Sequence, residues 1–349
     1  MLSMFPVYVM IAFDMVDNIQ KRDIFNVIRH TTVIGPCMGA SFKMFLMFVK
    51  RVQAKEIIEE MNRDFARYNN LPDDCQSHAE RAIASSVFYI EKLWIYIVTT
   101  TILLFPGVAA LWNILSLIFT SEPKKYMVHD LKIPYTEPET RFASPYFELG
   151  FVYMTYIAMV CGFNYGPYDG FYGLAANHAC LKMSMDCKLL EHALKAKDTN
   201  EKYNKIIEFI EEQKRTFHFV ELLQDTFNIW MTVICASTMI EIASLLIHVS
   251  AGYGFDFRYT MFSMSAVVHI FLPCKYAANL KSMAKETSWL IYSCGWETAE
   301  WRLWRLLVFI LARAQRPCRL TICGNFDFDM ELFMFMMKTS YSTFTLLRS

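Results

Sequence analysis

Six long stretches of this 349-residue chain carry almost no charge, and that feature confines it to very few architectures. A helix needs roughly 20 mostly apolar residues to cross the hydrocarbon core of a bilayer. The stretches run from about Thr31 to Val49, Leu93 to Phe119, Tyr146 past Tyr168, Thr226 to Val249, Tyr259 to Cys274 and Leu332 to Leu347. Hydrophobic residues make up 54% of the chain and mean hydropathy is +0.24, more apolar surface than one soluble core absorbs, so the surplus faces lipid. Lys43 lies near the end of the first stretch and is expected to snorkel to the interface. Pro106 and Gly107 are tolerable inside the second, because neighbouring helices satisfy freed backbone groups in a membrane. The Gly- and Tyr-rich run from Gly162 to Gly173 predicts a bend or a break.

The apolar start, Met1 to Phe13, is too short to span and lacks the basic residues and cleavage site of a signal peptide. It reads as the remnant of a leading helix, which makes the fold an all-α, polytopic, seven-transmembrane helical bundle. Orientation follows from Lys and Arg, which favour cytoplasmic loops. The loops Lys50 to Arg81, Lys182 to Arg215 and Lys275 to Arg319 carry 6, 8 and 8 of them, against about 9 on the other side. The bundle is therefore expected to have a cytoplasmic N-terminus and an extracellular C-terminus, the reverse of a G-protein-coupled receptor. Lys50 to Arg67 and Lys195 to Arg215 repeat apolar residues at helical spacing and read as cytoplasmic extensions of the helices.

Few chemistries remain open. The formal net charge is +0, which gives no basic excess for nucleic acid. Ten cysteines are scattered without a zinc or haem spacing, and no metal or other cofactor is implied. No hydrolase, metalloprotease or nucleotide-binding motif occurs, so no catalytic residue is expected and the chain does not read as an enzyme. His178 and His192 lie too far apart to share a helical turn and read as surface or packing residues. A pocket between helices would be concave and mostly apolar. Thr101, Phe105, Phe151, Thr155, Tyr259 and Phe262 are candidate lining residues, though aromatic residues on helices more often serve the core. Glu241 is an intramembrane carboxylate and so a functional candidate, with pairing inside the bundle or reach to the interface as its structural reading.

Five short motifs carry a further resemblance. They are LKIPY (Leu131 to Tyr135), SPYFEL (Ser144 to Leu149), IYSCGW (Ile291 to Trp296), RAQRP (Arg313 to Pro317) and KTSYSTFTLL (Lys338 to Leu347). In this order, on a chain whose charges give an inverted seven-helix topology, they resemble the insect odorant receptors, tightly from Ile291 to Leu347 and loosely elsewhere. The family has a cytoplasmic segment before its leading helix, so the chain is expected to begin inside that helix. Related gustatory receptors end in a Gln-Phe signature that Tyr341 to Arg348 lacks.

The resemblance implies a tuning odorant receptor that binds a volatile odorant. With a shared co-receptor, as a hetero-oligomer of tetramer type, it would form a ligand-gated nonselective cation channel. It would sit in the plasma membrane of olfactory sensory neuron dendrites. Residues 1–275 would form the odorant-binding bundle, 276–325 a cytoplasmic anchor and 326–349 the pore-lining last helix. By motif position Leu346 resembles the hydrophobic constriction and Ser349 the polar ring beyond it, while Trp296, Arg313, Arg316, Pro317 and Tyr341 would make subunit contacts. Rival readings are a gustatory-type channel and a small-molecule transporter, the latter weakened by the lack of an internal repeat.

Overall fold

The computed structural model describes residues 2–129, 131–134, 136–137, 139–250, 257–294, 300–316 and 318–348. A single 3-10 turn, Leu2–Met4, leads into α1 (Phe5–Gln20), which runs well past Phe13. It continues because Asp14 and Asn18 point inward: Asn18 Nδ2 donates to Asp14 Oδ1 (3.2 Å), and Asp14 Oδ2 lies 3.2 Å from His30 Nε2. His30 sits on α2 (Ile24–Val49), which bends by 75° into the amphipathic α3 (Arg51–Tyr68). Next, α4 (Asp73–Ser86), a π-helical turn (Val87–Leu93) and α5 (Trp94–Phe119) form a 47-residue rod.

Three long helices make the body: α6 (Tyr146–Lys195), α7 (Thr199–Ser250) and α8 (Phe257–Tyr292). Two sequence expectations change here. The run from Gly162 to Gly173 does not break, and α6 passes through Pro167 as one 50-residue helix. At Gly162 the glycine serves close approach, since a Cβ there would strike Ile102 of α5. The amphipathic run expected from Lys195 instead starts at Thr199, after a short turn, and continues without interruption into the apolar part of α7. Beyond α8 come α9 (Trp301–Ala314), a two-stranded antiparallel hairpin of β1 (Thr321–Ile322) and β2 (Phe326–Asp327), and α10 (Met330–Arg348).

Among the described residues five helices are long and apolar enough to cross a bilayer, or six if the bent α2–α3 pair counts as one. The last helix, α10, with Glu331, Lys338 and a set of Ser and Thr side chains, is not among them. The main core joins α6, α7 and α8 around Tyr168, Tyr172, Phe227 and Trp230. A second core packs α1, α2 and α6 against Val128 and Leu131 of the loop after α5. A third holds α9 by Leu303, Leu307, Ile310 and Ala314, a 3-to-4-residue spacing that forms one buried stripe.

Polar contacts fix the far end of the bundle. His178, expected as a surface or packing residue, is buried with its Nε2 2.8 Å from Asp64 Oδ2, an oxygen to which Lys182 also donates (2.6 Å). Gln224 of α7 clamps the hairpin, accepting from Thr321 N and donating to Thr321 O, each at 2.8 Å. Lys281 of α8 pairs with Asp327 and Asp329, each at 2.6 Å.

Asp329 also caps α10, accepting from the amides of Glu331 (3.0 Å) and Leu332 (3.3 Å). Burial by itself pushes its carboxyl up, but Lys281 and those amides outweigh burial and hold it below the usual carboxylate range. A carboxyl depressed in the folded state contributes stability above its unfolded pKa of about 3.9 and loses it as pH falls through the lower folded value. Asp329→Ala is therefore expected to cost about 1 kcal/mol at neutral pH. It should also flatten the acid limb of a melting-temperature profile below about pH 4. An unchanged profile would refute the capping role.

Candidate ligand site

Two adjoining, partly open chambers lie among α2, α5, α6, α7 and α8. The first, about 120 Å³, is lined by Val33, Pro36 and Cys37 of α2, Thr101, Ile102 and Phe105 of α5, Met154, Ile157, Ala158 and Cys161 of α6, and Phe262 of α8. Val128 and His129 close it from the loop after α5. That loop is pinned: Lys132 N donates to Asp14 Oδ2 (3.2 Å), Asn113 exchanges two hydrogen bonds with the Tyr126 backbone, and His129 Nε2 lies 3.1 Å from His30 Nδ1. The wall is apolar apart from Thr101 and His129, and Thr101 Oγ1 already donates to Ile97 O (2.9 Å). Its volume is close to the ~150 Å³ of an apolar cavity that takes up benzene.

The second chamber, about 80 Å³, shares Pro36, Thr101, Ile102, Cys161 and Phe262 with the first and adds a polar end. Trp94, Tyr165, Glu241, Ser265 and His269 line it. Behind them sits Lys43, 3% exposed, which corrects the expectation that it snorkels to the interface. Its Nζ donates to Asp169 Oδ1 (2.6 Å), lies 3.2 Å from His269 Nε2, and stands 3.7 Å over the Tyr165 ring. His269 in turn lies 3.1 Å from Asp169 Oδ2 and stacks on Trp94. The reason is positional: the face of α2 that carries Lys43 is turned toward α6 and α8, where the Asp169 carboxylate balances its charge and His269 stands beside both. On the lipid side of α5 and α6 a larger groove, about 400 Å³, meets the chambers at Val98 and Ile102.

Of the sequence candidates, Thr101, Phe105 and Phe262 come together in this wall, the two phenyl rings edge to face at 5.9 Å. Phe151 and Thr155 lie outside it: Phe151 packs in the α1–α2–α6 core, and Thr155 Oγ1 donates to Phe151 O (2.8 Å). Tyr259 lies on α8, but its side chain is outside the described residues, as are Trp296, Pro317 and Ser349. Arg313 stacks on Phe217 (4.2 Å) and lies 4.0 Å from Glu221; Arg316 is exposed beside it. On α10, Tyr341 and Leu346 are exposed, Leu346 to 74%. Sequence reasoning missed Lys43, Asp169 and His269 as a group; the only signal was that all three are ionisable residues in or beside apolar stretches.

Comparison with known proteins gives a consistent picture. The insect olfactory receptor OR5 from Machilis hrabei superposes with a TM-score of 0.74 over 99% of this chain and 87% of its own, at 13% identity. The same receptor in complex with eugenol gives 0.73 over 93% and 81%, at 14% identity. At such identities the likeness establishes the fold, a helical membrane bundle. Odorant receptor 56a of Drosophila melanogaster is 30% identical over 155 residues, 41% of this chain, and Odorant receptor 30a of the same species is 25% identical over 242 residues, 66% of this chain. The matched stretches span 34% and 61% of those two receptors. The sequence model of the family described as 7tm Odorant receptor matches residues 23–341, nearly the whole chain. The protein is a multi-pass membrane protein that belongs to the odorant receptor family.

Proposed function

We propose that this chain is an odorant receptor subunit that binds a small volatile molecule in the two chambers. Together with a co-receptor, in a tetramer-type hetero-oligomer, it opens a nonselective cation channel. The observation that carries the reading is a concave, mostly apolar cavity between helices, in a chain of the odorant receptor family. Such a cavity buries an apolar molecule by shape, with about 1–3 kcal/mol at stake per methylene. The groove between α5 and α6 offers a route from the bilayer, where apolar volatiles concentrate. Nothing in this scheme needs an enzyme's machinery; the work is binding and a shift of population between closed and open states.

In this reading residues 1–275 hold the ligand, 276–325 anchor the subunits and 326–349 line the pore. Exposed Leu346 suits a ring of hydrophobic side chains that gates by dewetting, with Ser349 just beyond it. The exposed aromatic and Arg side chains around α9, among them Trp301 and Phe309, have the composition of a buried interface centre. Trp296, Arg313, Arg316, Pro317 and Tyr341 belong to the same subunit contacts. The Lys and Arg bias supports an N-terminus in the cytoplasm and a C-terminus outside, in the plasma membrane of olfactory neuron dendrites.

Filling the first chamber tests the reading. Ala158→Phe places a ring in the cavity, and the odorant-evoked current of the co-expressed pair is expected to fall at least about 10-fold in sensitivity while surface expression holds. Unaltered sensitivity would remove the chambers as the ligand site.

A further inference from the structure

Glu241 is the only carboxyl among the described residues that line the two chambers. It is half-buried on α7, and the surface it retains adjoins the second chamber. Among the described residues it makes no hydrogen bond or ion pair. Lys43 does not supply one: an ammonium has three N–H groups, and Lys43 faces Asp169, His269 and the Tyr165 ring with them. Lys43 and Asp169 cancel each other, which leaves the chamber with an acceptor whose partner must come from outside the described protein. A carboxyl withdrawn from bulk water between helices and left in that state is costly, and a ligand that satisfies it gains what the protein forgoes.

We propose that the second chamber selects ligands with a hydrogen-bond-donating head, an amine or a hydroxyl, on a small apolar body that fills the first chamber, with Glu241 as the acceptor. This rests on the chambers being the ligand site. A site built to pair a polar group discriminates strongly against the analogue that lacks it, whereas an apolar pocket discriminates weakly. The two heads differ in one respect. An ammonium needs the carboxylate's charge, while a hydroxyl needs an acceptor oxygen, which an amide also provides.

The test uses one skeleton sized to the first chamber: benzylamine, benzyl alcohol, benzyl methyl ether and toluene. Each is applied to the full chain co-expressed with an insect co-receptor, and each is added to the purified chain in a melting assay, where a ligand of the folded state raises Tm. Benzylamine or benzyl alcohol is expected to act at a concentration about 10-fold or more below that of the ether. Glu241→Gln should abolish the preference for the amine and largely keep that for the alcohol; Glu241→Leu should abolish both. Potency of the ether equal to that of both donors, a ranking unmoved by Glu241→Leu, or no Tm shift with either donor overturns the inference. If other odorants still open the channel in that event, the receptor reading stands. If no odorant opens it but benzylamine raises Tm in the wild type and not in Glu241→Gln, the inference stands and the channel reading falls.

Discussion

Lys43→Met is expected to cost about 3–5 kcal/mol of stability, because it leaves the Asp169 carboxylate buried without its counter-charge. Lys43 and Asp169 are 3% and 5% exposed at their side chains and 2.6 Å apart, on α2 and α6, so water cannot replace the lost partner. His269, 3.1 Å from Asp169, can offer only one ring nitrogen in place of a full ammonium. The folded, surface-exposed fraction should drop sharply, and the purified chain should melt well below the wild type. Asp169→Leu alone should do similar harm by stranding Lys43. The double variant Lys43→Met, Asp169→Leu should recover much of the loss, since apolar groups of similar volume often replace a buried pair at little cost. A single variant that melts like the wild type would show that the pair is solvated and the bundle looser than described.

Trp230→Ala is expected to cost about 3 kcal/mol, the low end for truncating a buried Trp. Trp230 is 1% exposed and centres a ring cluster with Tyr172 (5.0 Å), Tyr168 (5.6 Å) and Phe227 (5.9 Å) that joins α6 to α7. The low end applies because lipid tails are as apolar as the core, so the loss is mainly of packing contacts and not of hydrophobic transfer. Trp230→Phe should cost much less. The indole Nε1 meets no acceptor among the described residues, so removing it sacrifices no hydrogen bond and relieves a buried donor. Melting both variants separates the effects, and equal destabilisation by Ala and Phe would contradict a packing role.

The pattern of charge-free stretches made the bundle legible, because membrane solvent imposes one rule on every spanning segment. Glu241 was legible for the same reason, as a carboxylate where lipid should be. The buried ion cluster was not. Lys43 is separated by 126 residues from Asp169 and by 226 from His269, and nothing local says which face of α2 turns inward. Of the bend or break expected at Gly162 to Gly173, the break does not occur: glycine and proline end helices in water, but here neighbouring helices satisfy the freed backbone groups. Residue types alone could not sort the cavity wall either. On α6 the wall uses Met154, Ile157, Ala158 and Cys161, a single 3-to-4-residue stripe. Thr155 falls on a different face, and Phe151 sits one turn beyond the stripe in the adjoining core.

Whole-cell recording from cells that express this chain with and without an insect odorant co-receptor, across volatile esters, alcohols, amines, aldehydes and terpenes, tests the central claim most directly. The account predicts a fast odorant-evoked cation current with both chains and none with either alone to the same odorant. Silence to every compound, from a chain demonstrably at the cell surface beside its co-receptor, would contradict it.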